Sequence, residues 1–111
     1  MATTTPSLTT AVAGIPMSTC IYNASGPRTG VSNALSKITS SQAGAVLAKS
    51  ATLLKQSGNP LPRTWQSSEA SLNSEGLPNN GIDYYIDGTT IDESMMDSTK
   101  PYMVSISGKT L

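Results

Sequence analysis

Lys49 and the segment S-L-N-S-E-G-L-P-N-N-G-I-D-Y-Y, over residues 71–85, carry the residue types best suited to chemistry in this chain. Lys49 directly follows the apolar run 44–48, so its ammonium either reaches solvent along its stem or meets an anion. In the second segment Gly76 and Gly81 permit backbone angles that other residues avoid, and Pro78 stiffens the turn between them. A loop that turns successive N–H groups the same way forms a concave nest for an anion such as a carboxylate, and Asn73 adds a side-chain donor. The alternative is an ordinary surface connection, because Gly, Pro and Asn gather in any long loop.

These residues need a frame, and the pattern around them predicts parallel βα units. Short runs rich in Val, Ile and Ala alternate with helical or loop stretches. A first strand is expected over residues 17–23, followed by a polar turn over 24–30. A helix then follows, with Val31, Leu35 and Ile38 at i, i+4 and i+7 on one face and Thr29 or Ser32 as N-cap. The run 44–48 is nearly unbroken in its apolar character, as suits a strand buried on both faces. Residues 50–80 read as one long loop interrupted by Gly58, Pro60, Pro62, Gly76 and Pro78. Asn80 is the predicted cap of a helix beginning near Ile82, with Ile82, Tyr85 and Ile86 as its apolar face. That helix should fail beyond Asp87, since Gly88, Thr89 and Thr90 are poor helix formers. Pro101 opens a third strand over 102–106. In a parallel array the strand ends 23–26, 49–50 and 105–108 share one rim, the rim where barrel enzymes place their active sites. Small polar residues also follow strands for turn reasons alone.

Composition removes several classes of function. Seven Lys and Arg balance seven Asp and Glu, so no electrostatic case exists for nucleic acid or an acidic membrane surface as partner. No apolar run approaches the roughly 18 residues of a membrane span. Histidine is absent, which removes the commonest metal ligand and neutral-pH base, and no metal site is expected. Cys20 is the single cysteine; it excludes an internal disulfide, fits a reducing compartment, and reads as a small buried hydrophobe of the first strand. Residues 1–15 read as a disordered leader. With no Lys or Arg in the first ten positions, they match neither a transit peptide nor a secretory signal.

Three blocks taken together carry a resemblance: S-Q-A-G-A-V-L-A-K-S-A-T over 41–52, G-N-P-L-P-R over 58–63, and N-S-E-G-L-P-N over 73–79. In order and spacing they resemble the N-terminal part of the soluble, class 1A dihydroorotate dehydrogenases, FMN enzymes of pyrimidine biosynthesis. The match runs from about Asn23 to Gly108 and is loose over 26–40 and weak between Gly88 and Lys100. It implies an α/β fold, the N-terminal part of a (β/α)8 TIM barrel with about three βα units in residues 16–111, since a whole barrel needs about 250 residues.

The resemblance also assigns roles. Ala24, Ser25, Gly26, Lys49 and Ser50 would contact FMN; Lys49, Asn73, Ser74, Glu75, Gly76 and Leu77 would contact dihydroorotate or orotate, including its carboxylate. A cation at the flavin's pyrimidine edge stabilises the negative charge that develops on reduction. Arg63 matches an arginine on a mobile loop near the active site; a solvated loop arginine is the alternative. Glu75 departs from the pattern, which has methionine there, and its carboxylate would repel an anionic substrate unless it points to water. The family's catalytic base is a cysteine in a later motif, N-L-S-C-P-N, which does not occur in these 111 residues, so no catalytic base is expected here and Cys20 is not it. Fumarate as acceptor, a cytoplasmic location and a homodimer follow from the same likeness. Two other readings stand beside it: a truncated, non-catalytic fragment or structural partner polypeptide, and a flavin barrel of the dihydropyrimidine dehydrogenase type.

Overall fold

The computed structural model of the chain describes residues 4–87, 99–108 and 110. Its centre is a parallel pair, β3 (Val46–Leu47) and β6 (Tyr102–Met103), registered Val46 to Tyr102 and Leu47 to Met103. The ladder continues beyond these short strands. Val46 N–H donates to Pro101, Ala48 N–H to Met103, Ala51 N–H to Ser105 and Ser107 N–H to Ala51. The run 44–48 behaves as expected of a strand covered on both faces: Ala45, Val46 and Ala48 are all buried.

Helix α1 (Ser32–Thr39) packs Leu35 into a core shared with Val46, Ala48, Ala51 and Tyr85. The predicted face holds at Leu35 and Ile38 but not at Val31, which is exposed at the N-cap position. Neither Thr29 nor Ser32 caps the helix. Thr29 is used one turn earlier, where its hydroxyl bonds both the N–H and the carbonyl of Gly26 across the 3-10 turn Pro27–Thr29. The Ser32 N–H, an orphan donor of the first helical turn, is met by the Tyr84 hydroxyl at 3.1 Å. At the other end Lys100 Nζ donates to the carbonyls of Thr39 and Ser41, a cation where the helix dipole is negative.

The first predicted strand, over 17–23, is corrected. Residues 10–17 instead form a hairpin, β1 (Thr10–Val12) against β2 (Ile15–Met17), which overlaps the stretch 1–15 expected to be a disordered leader. Ala13 and Gly14 both take positive φ (52° and 78°), the pair that a two-residue hairpin turn with matching twist requires. The chain then runs beside β3 without strand geometry. The Asn23 side-chain amide stands in for a strand's peptide group: Nδ2 donates to the Leu47 carbonyl at 2.7 Å and Oδ1 accepts from Leu47 N–H at 2.9 Å. Gly44 permits the close approach, since a Cβ there would overlap the Thr19 carbonyl. Cys20 is exposed, not buried, because its segment lies outside the sheet.

The expected loop 50–80 carries a second antiparallel hairpin, β4 (Thr64–Gln66) with β5 (Ser71–Asn73), and all six strand residues are exposed. Its end turn is built on Ser67, whose hydroxyl accepts from the N–H groups of Glu69 and Ala70. Helix α2 (Ile82–Ile86) begins after Gly81, not Asn80. Its first N–H bonds the Thr52 carbonyl, while Asn79, buried, accepts from the N–H groups of Gly81 and Thr52. Asn80 turns away to the Gly30 carbonyl. Tyr85, fully buried, also donates to Gly30 and meets Tyr84 edge-on at 5.0 Å. The predicted failure of this helix beyond Asp87 falls on residues 88–98, outside the described residues. Among the described residues the sheets are three two-stranded pieces; no closed barrel is formed. No helix there is long and apolar enough to cross a membrane.

Candidate functional site

Two strand ends and the turn after Asn23 meet on one rim. The Ser50 hydroxyl lies 3.1 Å from that of Ser25 and 2.8 Å from that of Ser105, a hydroxyl chain linking segments far apart in sequence. Ser25 and Ser50 are two of the predicted site residues; Ser105 was not among them, although its place at the end of the third strand was the available signal. Beside them lie Ala24 and Gly26, and a Cβ built on Gly26 would meet nothing within 4 Å. The space over this turn is open.

Lys49 sits at the end of β3 with its N–H on the Thr29 carbonyl and only 6% of its surface exposed. A lysine this buried usually pairs with an acid. Among the described residues its ammonium has no hydrogen-bond acceptor, and the one ion pair, Arg63 with Glu75, lies elsewhere. A cation with a buried stem and no anion of its own can receive a ligand's negative edge.

The second cluster is the loop after β5. Gly76 and Leu77 are consecutive left-handed residues (φ 70° and 54°), a conformation glycine adopts freely and leucine rarely. Their N–H groups have no acceptor among the described residues. Their carbonyls are tied back: Gln56 Nε2 donates to Gly76 at 2.7 Å and to Leu77 at 3.3 Å, and Asn79 Nδ2 also reaches Leu77. Asn73 is an exposed strand residue opposite Thr64. Ser74 lends its N–H to the Arg63 carbonyl and its hydroxyl and carbonyl to Asn59 Nδ2. No hydrogen bond or ion pair joins Lys49 to residues 73–77 among the described residues.

Glu75 does not simply face water. Its carboxylate stands 3.9 Å from the Arg63 guanidinium, which also donates to the Asn59 carbonyl at 2.6 Å and the Ser57 carbonyl at 2.5 Å. Arg63 is therefore a brace at the base of the hairpin as well as a charge. Gln56 and Asn59 escaped sequence reasoning, since nothing marks an amide side chain whose partners lie fifteen or more residues away.

The family model for dihydroorotate dehydrogenase matches residues 7–110. The chain belongs to the dihydroorotate dehydrogenase family. It is similar to dihydroorotate dehydrogenase A (fumarate) of Lactococcus lactis subsp. lactis, 40% identical over 91% of this chain and 32% of that protein. It is also similar to dihydroorotate dehydrogenase (fumarate) of Kluyveromyces lactis, 37% identical over 96% of this chain and 34% of that protein. The chain thus spans about a third of the length of the curated relatives it matches. In dihydroorotate dehydrogenase terms, the likeness read from the three sequence blocks points to the fumarate-type enzymes, as the relatives do. The truncated-fragment and dihydropyrimidine dehydrogenase readings are not favoured by these matches.

Proposed function

We propose that this chain is the N-terminal portion of a fumarate-type dihydroorotate dehydrogenase, about three βα units of a (β/α)8 barrel in residues 16–111. The parent activity on this reading is oxidation of dihydroorotate to orotate, with FMN as cofactor and fumarate as final acceptor, in a cytoplasmic homodimer. The observation that carries it is Lys49: a lysine only 6% exposed, whose ammonium has no anion among the described residues, beside the serine chain of a shared rim.

The residues present fit a flavin. A Cβ at Gly26 would meet nothing within 4 Å, so a planar ring could approach the backbone there beside the small residues Ala24 and Ser25. The hydroxyls of Ser25, Ser50 and Ser105 offer donors and acceptors along that surface. When bound, FMN would supply the hydride acceptor. Lys49 would stabilise negative charge at the ring edge and on the substrate. The free N–H groups of Gly76 and Leu77, with Asn73 and Ser74, would hold the substrate carboxylate. The proton-accepting cysteine belongs to a motif these residues do not contain, so the chain by itself is expected to show no turnover.

The test is a titration of the isotopically labelled chain with FMN, followed by amide NMR. The chain should purify without stoichiometric flavin and bind added FMN weakly, with shifts centred on Ala24, Ser25, Gly26, Lys49 and Ser50. Shifts scattered over the two hairpins, with none on that rim, would contradict the assignment.

A further inference from the structure

We infer that Gln56 is a positioning residue that aims the Leu77 N–H at the substrate carboxylate, an inference resting on the orotate-site reading above. A trans peptide unit is planar, with its C=O and N–H pointing in opposite directions. The peptide joining Gly76 to Leu77 therefore presents the Leu77 N–H on the side opposite the Gly76 carbonyl. Gln56 Nε2 holds that carbonyl at 2.7 Å. Fixing the oxygen inward turns the hydrogen outward.

The preceding unit is set in the same way by a different partner. The Glu75 carbonyl accepts from the Asn59 N–H at 3.0 Å, which directs the Gly76 N–H outward. Each donor is thus set by its own anchor, one backbone and one side chain. Only the second can be removed by substitution. Gln56 has the chemistry for it: two carbonyl acceptors demand the nitrogen end of its amide, and its second contact, to Leu77 at 3.3 Å, uses the same nitrogen. Leu77 needs such a hold because its φ of 54° is disfavoured for a residue with a branched side chain.

The position of Gln56 does not depend on its side chain. Its N–H and carbonyl pair with the carbonyl and N–H of Asn79, both at 2.9 Å, so a substitution leaves the backbone bridge in place. Residue 56 acts on the donor and does not touch the ligand.

The experiment titrates the full chain with orotate and follows the amide resonances of Gly76 and Leu77. Gln56→Leu keeps the bulk and removes the donors; Gln56→Ala serves as the second variant. The wild-type chain should show orotate-dependent shifts at both amides, and both variants should bind about threefold or more weakly, the effect of one lost hydrogen bond. Amides of Val46 and Ala48 should stay unmoved, which separates aim from folding. A wild type that responds while both variants respond with equal affinity overturns the role of Gln56. A wild type silent at Gly76 and Leu77 overturns the site reading itself, and with it the role of Gln56.

Discussion

The Arg63 guanidinium and the Glu75 carboxylate stand 3.9 Å apart, each about one-fifth exposed, at the mouth of the loop proposed to hold the substrate. Where the resemblance leads to an expectation of methionine, this chain places one side of an ion pair. It turns Arg63 from an attractive charge into a partly neutralised brace held also by Ser57 and Asn59.

Removing the carboxylate should release that charge. Glu75→Met is expected to tighten orotate binding by up to about fivefold at low salt, the scale of one charge interaction of about 1 kcal/mol near 4 Å in water. High salt should shrink the gain. Stability should change by less than about 1 kcal/mol, as for other partly exposed pairs. Orotate titrations at low and high ionic strength check this; equal affinities in both proteins would show that Glu75 is electrically irrelevant to the site.

Gly26 separates fold from function. Its φ of −179° is extended backbone, and a Cβ there meets nothing within 4 Å, so Gly26→Ala should leave thermal stability unchanged. Flavin binding should nevertheless weaken, because the methyl occupies the space offered to the ring. Differential scanning calorimetry and FMN titration together decide it: a destabilised variant, or unchanged FMN affinity, would contradict the open-rim account.

Asn23 should matter to stability more than its polar character suggests. Asn23→Ala leaves both the N–H and the carbonyl of Leu47 without the bonds the amide provides. The expected cost is roughly 1–2 kcal/mol, the lower part of the range for backbone groups left unpaired, since these are partly buried. Urea unfolding measures it, and a variant as stable as wild type would mean water replaces the amide freely.

Alkali should weaken the fold through Tyr102. Burial first, then the neighbouring Tyr85 and Tyr84, push its hydroxyl from 10.0 up to about 12, and burial likewise raises Tyr85. The unfolded chain therefore loses these protons first, so stability is full below about pH 10 and declines as pH rises towards 12. Tyr102→Phe should remove most of that decline. Unfolding curves collected from neutral pH upward test the direction; an unchanged alkaline limb in the variant would contradict it.

Parts of this fold were legible because burial leaves a mark on sequence. The run 44–48 is apolar since it is covered on both faces, and Leu35 and Ile38 keep helical spacing because they face that run. The rim was legible in part: the parallel ladder brings Ser50 and Ser105 together, whereas Ser25 arrives on a turn after a segment that is not a strand. The hairpins were not. Trp65 and Leu72 face each other across β4 and β5 yet both stay exposed, so no inside–outside alternation records the pairing. Cys20 was misplaced because Asn23 satisfies β3 with a side chain, leaving its segment free of the sheet. Gln56 carries no mark at all, since its meaning depends on where Gly76 lies in space.

Whether these residues form the flavin and orotate side of a dihydroorotate dehydrogenase is decided by a chimera. This chain would replace the matching third of the Lactococcus lactis relative, and orotate formation from dihydroorotate with fumarate would be measured. The chimera should be flavin-loaded, with turnover that Lys49→Ala lowers by about a hundredfold or more, the scale of losing a charge-stabilising group. A folded, flavin-loaded chimera without turnover, or one indifferent to Lys49→Ala, would contradict that assignment.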